Sequence, residues 1–293
     1  MRILICGGTG FVGRQVAQTL TLAGHEPVIR SRHSSPALDF SRALSADAWL
    51  PQLQGVDAVI NTVGALRDTP TQSLDMLHTA APVALFDACA QAGIRRVVQV
   101  SALGVDHGDT RYASTKRAAD EHLLALNAAG RLDGVIARPS IIFGAGGASA
   151  NLFLALARSP ILLLPQAVRS SRIQPIAVRD LADVLARLVA RDTPCGIIEL
   201  GGPEPLTMDE LIASLRAQMG LHPARVCDLP QWVSVAGAKF GDCFSALPWC
   251  SETLALLEKD NVTDARALPD LLGRPPVPPQ QLYATLSDKA RAP

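Results

Sequence analysis

The chain is poor in aromatic residues: Phe, Trp and Tyr make up 4% of its 293 residues, although 48% are hydrophobic. A core must therefore be built from Leu, Val, Ile and Ala, and the length allows one large domain or a core with a smaller lobe. Net charge is also lacking, with 27 basic residues against 27 acidic ones. That balance argues against nucleic acid or an anionic membrane as the main partner, leaving only a local patch open. No run of 18 apolar residues occurs, so no membrane span is expected. The most apolar stretch, 152–164, is broken by Arg158 and Pro160 and reads as a buried or substrate-side element. The six cysteines, at 6, 89, 195, 227, 243 and 250, form no Cys-x-x-Cys pair and have no His beside them at zinc-ligand spacing. No metal site is expected. Cys6 and Cys89 fall on apolar faces as small core residues. Unpaired cysteines and a strand that begins at the N-terminus, with no room for a signal peptide, point to a reducing, cytoplasmic setting.

What the chain does have is a glycine turn in the right context. Ile3-Leu4-Ile5-Cys6 runs into Gly7-Gly8-Thr9-Gly10-Phe11-Val12-Gly13. Val12, Val16, Ala17 and Leu20 then follow near a 3.6-residue period, up to a stop at Ala23-Gly24. A strand, a glycine-rich turn and an amphipathic helix form the unit that binds a dinucleotide pyrophosphate. Gly7 and Gly10 let the backbone turn tightly and approach phosphate, and Gly13 lets the helix pack on the strand. The first helical N–H groups face the anion. Candidate cofactor contacts in this turn are Gly7, Thr9, Gly10, Phe11, Val12 and Gly13.

Apolar runs continue to alternate with helical patterns. Strands are expected at 2–6, 27–31, 57–62, 96–101 and 134–138, and helices at 12–23, 79–92 and 111–129. The strand through Asn61 should end at the cofactor crevice, which makes Val63 and Gly64 further candidates. This alternation implies an α/β fold, a doubly wound parallel sheet with ligands at the carboxyl ends of its strands. After Gly144 the pattern changes. A helix is expected at 181–190, a strand at 197–200, a capping box at Thr207 and Glu210 opening a helix to about Met219, and helical pieces at 230–241 and 251–258. No internal repeat is present. The proline-bearing tail after Pro275 is expected to drape over the surface. The expected division is a nucleotide-binding core of 1–142 and 172–200, with a substrate-side lobe of 143–171 and 201–293.

A second constellation is Tyr112-x-x-x-Lys116. Residues four apart share a helix face, and a neighbouring ammonium favours the phenolate, so Tyr112 is expected to have a lowered pKa and to exchange a proton with a carbonyl or alcohol oxygen. Lys116 can also hold the cofactor ribose. Ser101, at the end of the preceding strand, can hydrogen-bond the same substrate oxygen.

Together these residues resemble a family. Gly7–Gly13, Val100-Ser101-Ala102-Leu103-Gly104, Tyr112-x-x-Ser114-Thr115-Lys116 and Arg138-Pro139-Ser140-Ile141-Ile142-Phe143-Gly144 resemble the extended and atypical short-chain dehydrogenases/reductases. The likeness is strongest to the branch containing the NAD(P)H-binding accessory subunit of respiratory complex I and its bacterial relatives. Pro175–Ala182 and Glu199–Pro203 also look like that branch. The resemblance covers roughly 1–220. It implies a Rossmann core with a small C-terminal substrate lobe, a nicotinamide pocket lined by Pro139, Ile141 and Ile142, and pairing into a homodimer through helices near 79–92 and 111–129. Active members often carry an Asn relay where this chain has His78, which reads either as a substitute relay or as a packing residue.

At the end of the second strand an NAD-selective fold places an acid. Here stand Arg30, Ser31 and Arg32, and the first acid is Asp39. Arginine suits a 2′-phosphate, so NADP(H) is the expected cofactor, with Arg32 the first contact and Arg30 the second; NAD(H) stays open. Three functions follow. The first is an oxidoreductase moving hydride to or from a small carbonyl or quinone-like substrate, with Tyr112, Lys116 and Ser101 as its catalytic residues. The second is a non-catalytic NADPH-binding structural, assembly or redox-sensing protein of a respiratory complex, docking on a partner or a membrane surface through 152–164 or 232–248. The third is a nucleotide-sugar epimerase or dehydratase. It is disfavoured by the short Ser101–Tyr112 loop and the lack of a diphosphate-binding cluster in the tail.

Overall fold

Strands that are apolar on both faces belong in the middle of a layered α/β unit. The computed structural model describes residues 1–69, 72–190, 192–242 and 250–287, and its main sheet has six strands, the inner ones of this kind. They are β1 (Arg2–Cys6), β2 (Glu26–Arg30), β3 (Ala58–Asn61), β4 (Arg96–Val100), β5 (Asp133–Pro139) and β6 (Gly196–Leu200), in the order β6-β5-β4-β3-β1-β2. β1 runs parallel to both β2 and β3, β3 to β4, and β4 to β5. The helices are α1 (Phe11–Leu22), α2 (Ala81–Ala92), α3 (Arg111–Ala128) and α4 (Val178–Arg187). The chain leaves β1 toward β2 and then returns to the other side of β1 with β3. This is the topological switch point at which a Rossmann sheet receives its ligand.

Side chains alternate across each strand. Leu4, Cys6, Val59, Val97 and Ile136 pack with α2 and α3 in one apolar cluster. Their neighbours Ile3, Ile5, Ile60 and Val98 are fully buried as well, so both faces of the sheet are covered. The expected strands and helices of this region are present, with ends shifted by one or two residues. Ahead of α2 the chain makes a π-helical turn, Asp75–Ala80, that places His78 at 1% exposure. α2 ends at Gly93, which takes φ +74°, and α1 ends before Gly24 at φ +77°.

Contacts within the chain divide it into two units. The first is Met1–Pro139 with Leu181–Glu199, and the second is Ser140–Asp180 with Leu200–Pro293. Segment 172–180, assigned to the core from the sequence, thus groups with the second unit. That unit contains the helices Ala148–Arg158, Met208–Gln218, Gln231–Asp242 and Ser251–Leu257. The capping box is present: Glu210 N–H donates to Thr207 Oγ1, and Thr207 N–H donates to the Glu210 carboxylate. Segment 152–164 splits into the end of one helix and the strand Ile161–Leu164, which pairs with Arg225–Asp228. Two expectations for the tail are corrected or curtailed. Through residue 287 the tail does not drape over the surface: Val277 and Leu282 are buried in the second unit's core, and Val277 N–H donates to the buried Asp180 at 2.7 Å. Apolar side chains between the prolines decide this. Of segment 232–248, residues 243–248 lie outside the described residues, as does Cys243; Trp232 and Phe240 are exposed.

One buried cation locks the first unit. Arg96, 1% exposed, donates from Nη1 to Asp133 O at 2.9 Å, from Nη2 to Thr193 O at 2.8 Å and from Nε to Ala190 O at 3.0 Å. Its fork gathers three main-chain carbonyls from separate segments onto one buried cation. Arg96→Met keeps much of the volume and removes the guanidinium bonds to these carbonyls. It should lower unfolding free energy by about 2–4 kcal/mol. Urea denaturation checks this, and a loss below roughly 0.5 kcal/mol would refute the role of the clamp.

Candidate functional site

The turn after β1 is built for close backbone approach. A β-carbon at Gly13 would lie 2.3 Å from Gly7 O, and one at Gly7, already at φ +77°, would lie 3.0 Å from Thr62 Oγ1 and Val63 Cγ2. Gly10 is the N-cap of α1 and no side chain caps this helix. The N–H groups of Phe11, Val12 and Gly13 therefore point out of the helix end without a capping acceptor. This cradle fits a pyrophosphate. Thr9 Oγ1 donates to Ser31 Oγ at 2.9 Å, tying the turn to the loop after β2. In that loop Arg30 turns away, with Nε on Gln52 Oε1 at 2.6 Å and Nη1 on Ile29 O, while Arg32 is exposed.

The turn runs without a break into the second constellation. Buried Asn61, at the end of β3, accepts Val63 N–H at 3.1 Å and donates to Gln99 Oε1 at 2.7 Å, fixing the strand's exit. Gly64 follows: a β-carbon there would lie 3.4 Å from Lys116 Nζ and 3.8 Å from His78 Nε2. Lys116 is buried, and its Nζ donates to Val100 O at 2.9 Å and, more weakly, toward Val63 O at 3.5 Å. Val63, Gly64, Ser101, Tyr112 and Lys116 are thus gathered at the carboxyl ends of β3 and β4. Pro139 ends β5. Ile141 and Ile142 belong to the second unit, where Ile141 O accepts Ile176 N–H and Ile142 opens a two-residue strand.

Two expectations change, and one alternative is chosen. Tyr112 is not driven toward phenolate. Burial and the charge of Asp120 push its pKa up to about 12, and the Lys116 ammonium, held on a main-chain carbonyl, does not offset them. Tyr112 is a neutral phenol that holds a proton to give. Second, the Ser101 hydroxyl donates to Asp120 Oδ2 at 2.7 Å, so its proton is committed to a carboxylate and not presented to a substrate oxygen. Of the two readings of His78, the packing residue fits the geometry. Its Nε2 accepts Ala65 N–H at 3.1 Å, so Nδ1 carries the proton and faces Thr115 Oγ1 at 3.1 Å; that hydroxyl in turn donates to Arg111 O at 2.8 Å. Burial, then the nearby Lys116, pull His78 down to about 2. The imidazole stands edge to face with Tyr112, ring centroids 5.4 Å apart. It pins the loop after β3 and packs Tyr112.

Sequence reasoning missed Asp120 and gave Arg138 no role. Asp120 lies on α3 four residues beyond Lys116 and eight beyond Tyr112, a spacing that signals a shared face. Arg138, on β5, donates to Asp120 Oδ2 from Nε at 3.1 Å and from Nη2 at 3.0 Å, and pairs through Nη1 with Asp106. Among the described residues no group of His, Cys, Asp and Glu suits a metal, and no helix is long and apolar enough to cross a membrane.

The buried neutral His78 makes stability depend on pH. The unfolded chain protonates it below its ordinary value near 6.5, while the folded protein does not until about 2. Stability is therefore intact above that ordinary value and falls with pH below it, by about 1.4 kcal/mol per unit. Between pH 7 and pH 5, His78→Gln should lose about 2 kcal/mol less unfolding free energy than the parent protein. Parallel losses in denaturant titrations at the two pH values would exclude a buried neutral imidazole.

With this geometry stand the relatives of the chain. Residues 3–201 match the NAD dependent epimerase/dehydratase family. A ceramide reductase of Caulobacter vibrioides is 27% identical over 260 residues, 84% of this chain and 78% of that protein. The mitochondrial NADH dehydrogenase [ubiquinone] 1 alpha subcomplex subunit 9 of Arabidopsis thaliana is 26% identical over 226 residues, 71% of this chain and 55% of that protein. Among solved structures, the NADPH-dependent quinone oxidoreductase of Escherichia coli, complexed with NADPH, shares the fold at a TM-score of 0.73 and 17% identity, covering 96% of this chain and 98% of that one. Glycine cradle, switch point and family match agree, and the chain belongs to the NAD-dependent epimerase/dehydratase family of NAD(P)-binding Rossmann proteins, the extended short-chain dehydrogenases/reductases.

Proposed function

We propose that the protein is an NADP(H)-dependent reductase of a small carbonyl or quinone-like substrate. The observation that carries this reading is the continuity from Gly7 through Val63 and Gly64 to Lys116, which supports taking the glycine turn and the Tyr-Lys pair as parts of one cofactor site. Bound NADPH supplies hydride to the substrate carbon. The chain's own part is to bind, orient and give a proton. The α1 N-terminus and Gly7–Gly13 hold the pyrophosphate. We assign the 2′-phosphate to Arg32, which is exposed, because Arg30 Nε bonds Gln52. Lys116, anchored on Val100 O, would hold the cofactor ribose. Tyr112, kept as a phenol, donates its proton to the oxygen as negative charge grows there. A donor poised in this way suits reduction better than oxidation. The reductase names among the relatives support the same direction.

One observation favours a second reading, a non-catalytic NADPH-binding protein. The proton of Ser101 is spent on Asp120, which removes one donor from the expected catalytic set. The complex I subunit among the relatives fits that reading. Calorimetric titration of stripped protein separates the two. Micromolar, exchanging NADPH with turnover of quinones or carbonyls supports the reductase; cofactor that cannot be stripped, with no turnover, supports the binder.

Two variants test the assignments. Tyr112→Phe should lower kcat by at least about a hundredfold and leave NADPH affinity within about twofold. Unchanged turnover removes Tyr112 from the chemistry. Arg32→Ala should weaken NADPH by roughly ten- to a hundredfold and NADH hardly at all, because a charge-assisted bond to phosphate is worth about 1.5–3 kcal/mol. Equal weakening of both cofactors would overturn the preference for NADP(H).

A further inference from the structure

We propose that Asp120 is a positioning residue whose buried carboxylate, one helical turn beyond Lys116, supplies the negative charge that keeps Lys116 an ammonium. The assignment rests on the reading above, in which Lys116 serves the cofactor and Tyr112.

Lys116 is buried without a carboxylate at ion-pair distance among the described residues, and its Nζ donates to the carbonyls of Val100 and Val63. Carbonyls solvate an ammonium only in part, and burial of such a group favours the neutral amine. The groups that face it are few. On α3 stand Tyr112, a neutral phenol, and Asp120. The π-turn contributes His78, a neutral imidazole. β4 and the loop after β3 contribute carbonyls, and β5 contributes Arg138 behind Asp120. Within this group Asp120 is the anion. Its Oδ2 takes the bonds from Ser101 and Arg138, while buried Oδ1 has no hydrogen-bond partner among the described residues. An orphan carboxylate oxygen is costly unless its charge answers a cation nearby. Arg138 bonds Asp120 and Asp106, and Asp120, although burial raises its pKa, is the carboxylate on the helix face of Lys116. In the intact protein, burial pulls Lys116 down to about 8 and Asp120 opposes that pull.

Asp120→Asn separates charge from shape, because the amide oxygen can still accept from Ser101 and Arg138. The full chain, without cofactor, is prepared with lysine labelled with carbon-13 at Cε, and Lys116 is titrated by NMR. Exposed Lys239 and Lys259 serve as internal references. In Asp120→Asn the Lys116 midpoint should fall by about one pH unit or more, a tenfold change in its ionisation constant, with the references unmoved. A folded Asp120→Asn with an unmoved Lys116 midpoint overturns the proposal. So does a parent protein whose Lys116 titrates together with the references. If Asp120→Asn does not fold, Asp106→Asn, at the solvent-facing end of the same chain of charges, should shift Lys116 in the same direction by less; no shift refutes the coupling. The readout needs no turnover. Absence of NADPH binding would therefore sink the functional reading while leaving the Asp120–Lys116 coupling measured.

Discussion

The approach of α1 to the end of β1 governs this structure. Gly7 O sits where a β-carbon of residue 13 would be, so helix and strand meet backbone to backbone. That closeness opens the N-terminus of α1 toward the switch point. Gly7 is itself tight against Thr62 and Val63, so the exit of β3 is set by the same turn. Any side chain at these glycines would push α1 off the sheet or the β3 loop off Lys116. The cradle and the Tyr-Lys pair are thus a single mechanical unit.

Burial of polar groups is the second constraint. Lys116, Asp120, Arg138, His78, Asn61 and Gln99 are all nearly inaccessible at the carboxyl edge of an otherwise apolar sheet. Hydrogen-bonded ladders make this tolerable: Ala65 to His78 to Thr115 to Arg111 O, and Ser101 with Arg138 on Asp120. Each ladder removes freedom from a group that would otherwise choose its own partner. The tautomer of His78 and the hydrogen-bond sense of Ser101 follow from their neighbours. Ser101 thus stands as an acceptor, and the proton for a substrate oxygen falls to Tyr112.

Much of the first unit was legible because its signals are local. Apolar runs marked the strands of the main sheet, 3.6-residue periodicity marked α1, and the glycines at 7, 10 and 13 marked the turn between β1 and α1. The capping box at Thr207 and Glu210 was equally local. The second unit was less legible: its helix Ala148–Arg158 and strand Ile161–Leu164 share one apolar run, which periodicity cannot divide. The tail was misjudged for a similar reason. Prolines suggested a surface path, but Val277, Leu282 and the Asp180 carboxylate hold it inward.

By itself the sequence determined the α/β class, the dinucleotide turn, the Tyr112–Lys116 pairing on one helix face and the absence of an acid after β2. Each depends on residues within a few positions of one another, where spacing alone sets geometry. Only the tertiary structure decided the ionisation and hydrogen-bond roles at the site. The raised pKa of Tyr112 comes from burial and from Asp120, the proton of Ser101 goes to a residue 19 positions away, and Arg30 is diverted by Gln52. Desolvation and long-range partners set these properties, and neither exists until the chain has folded.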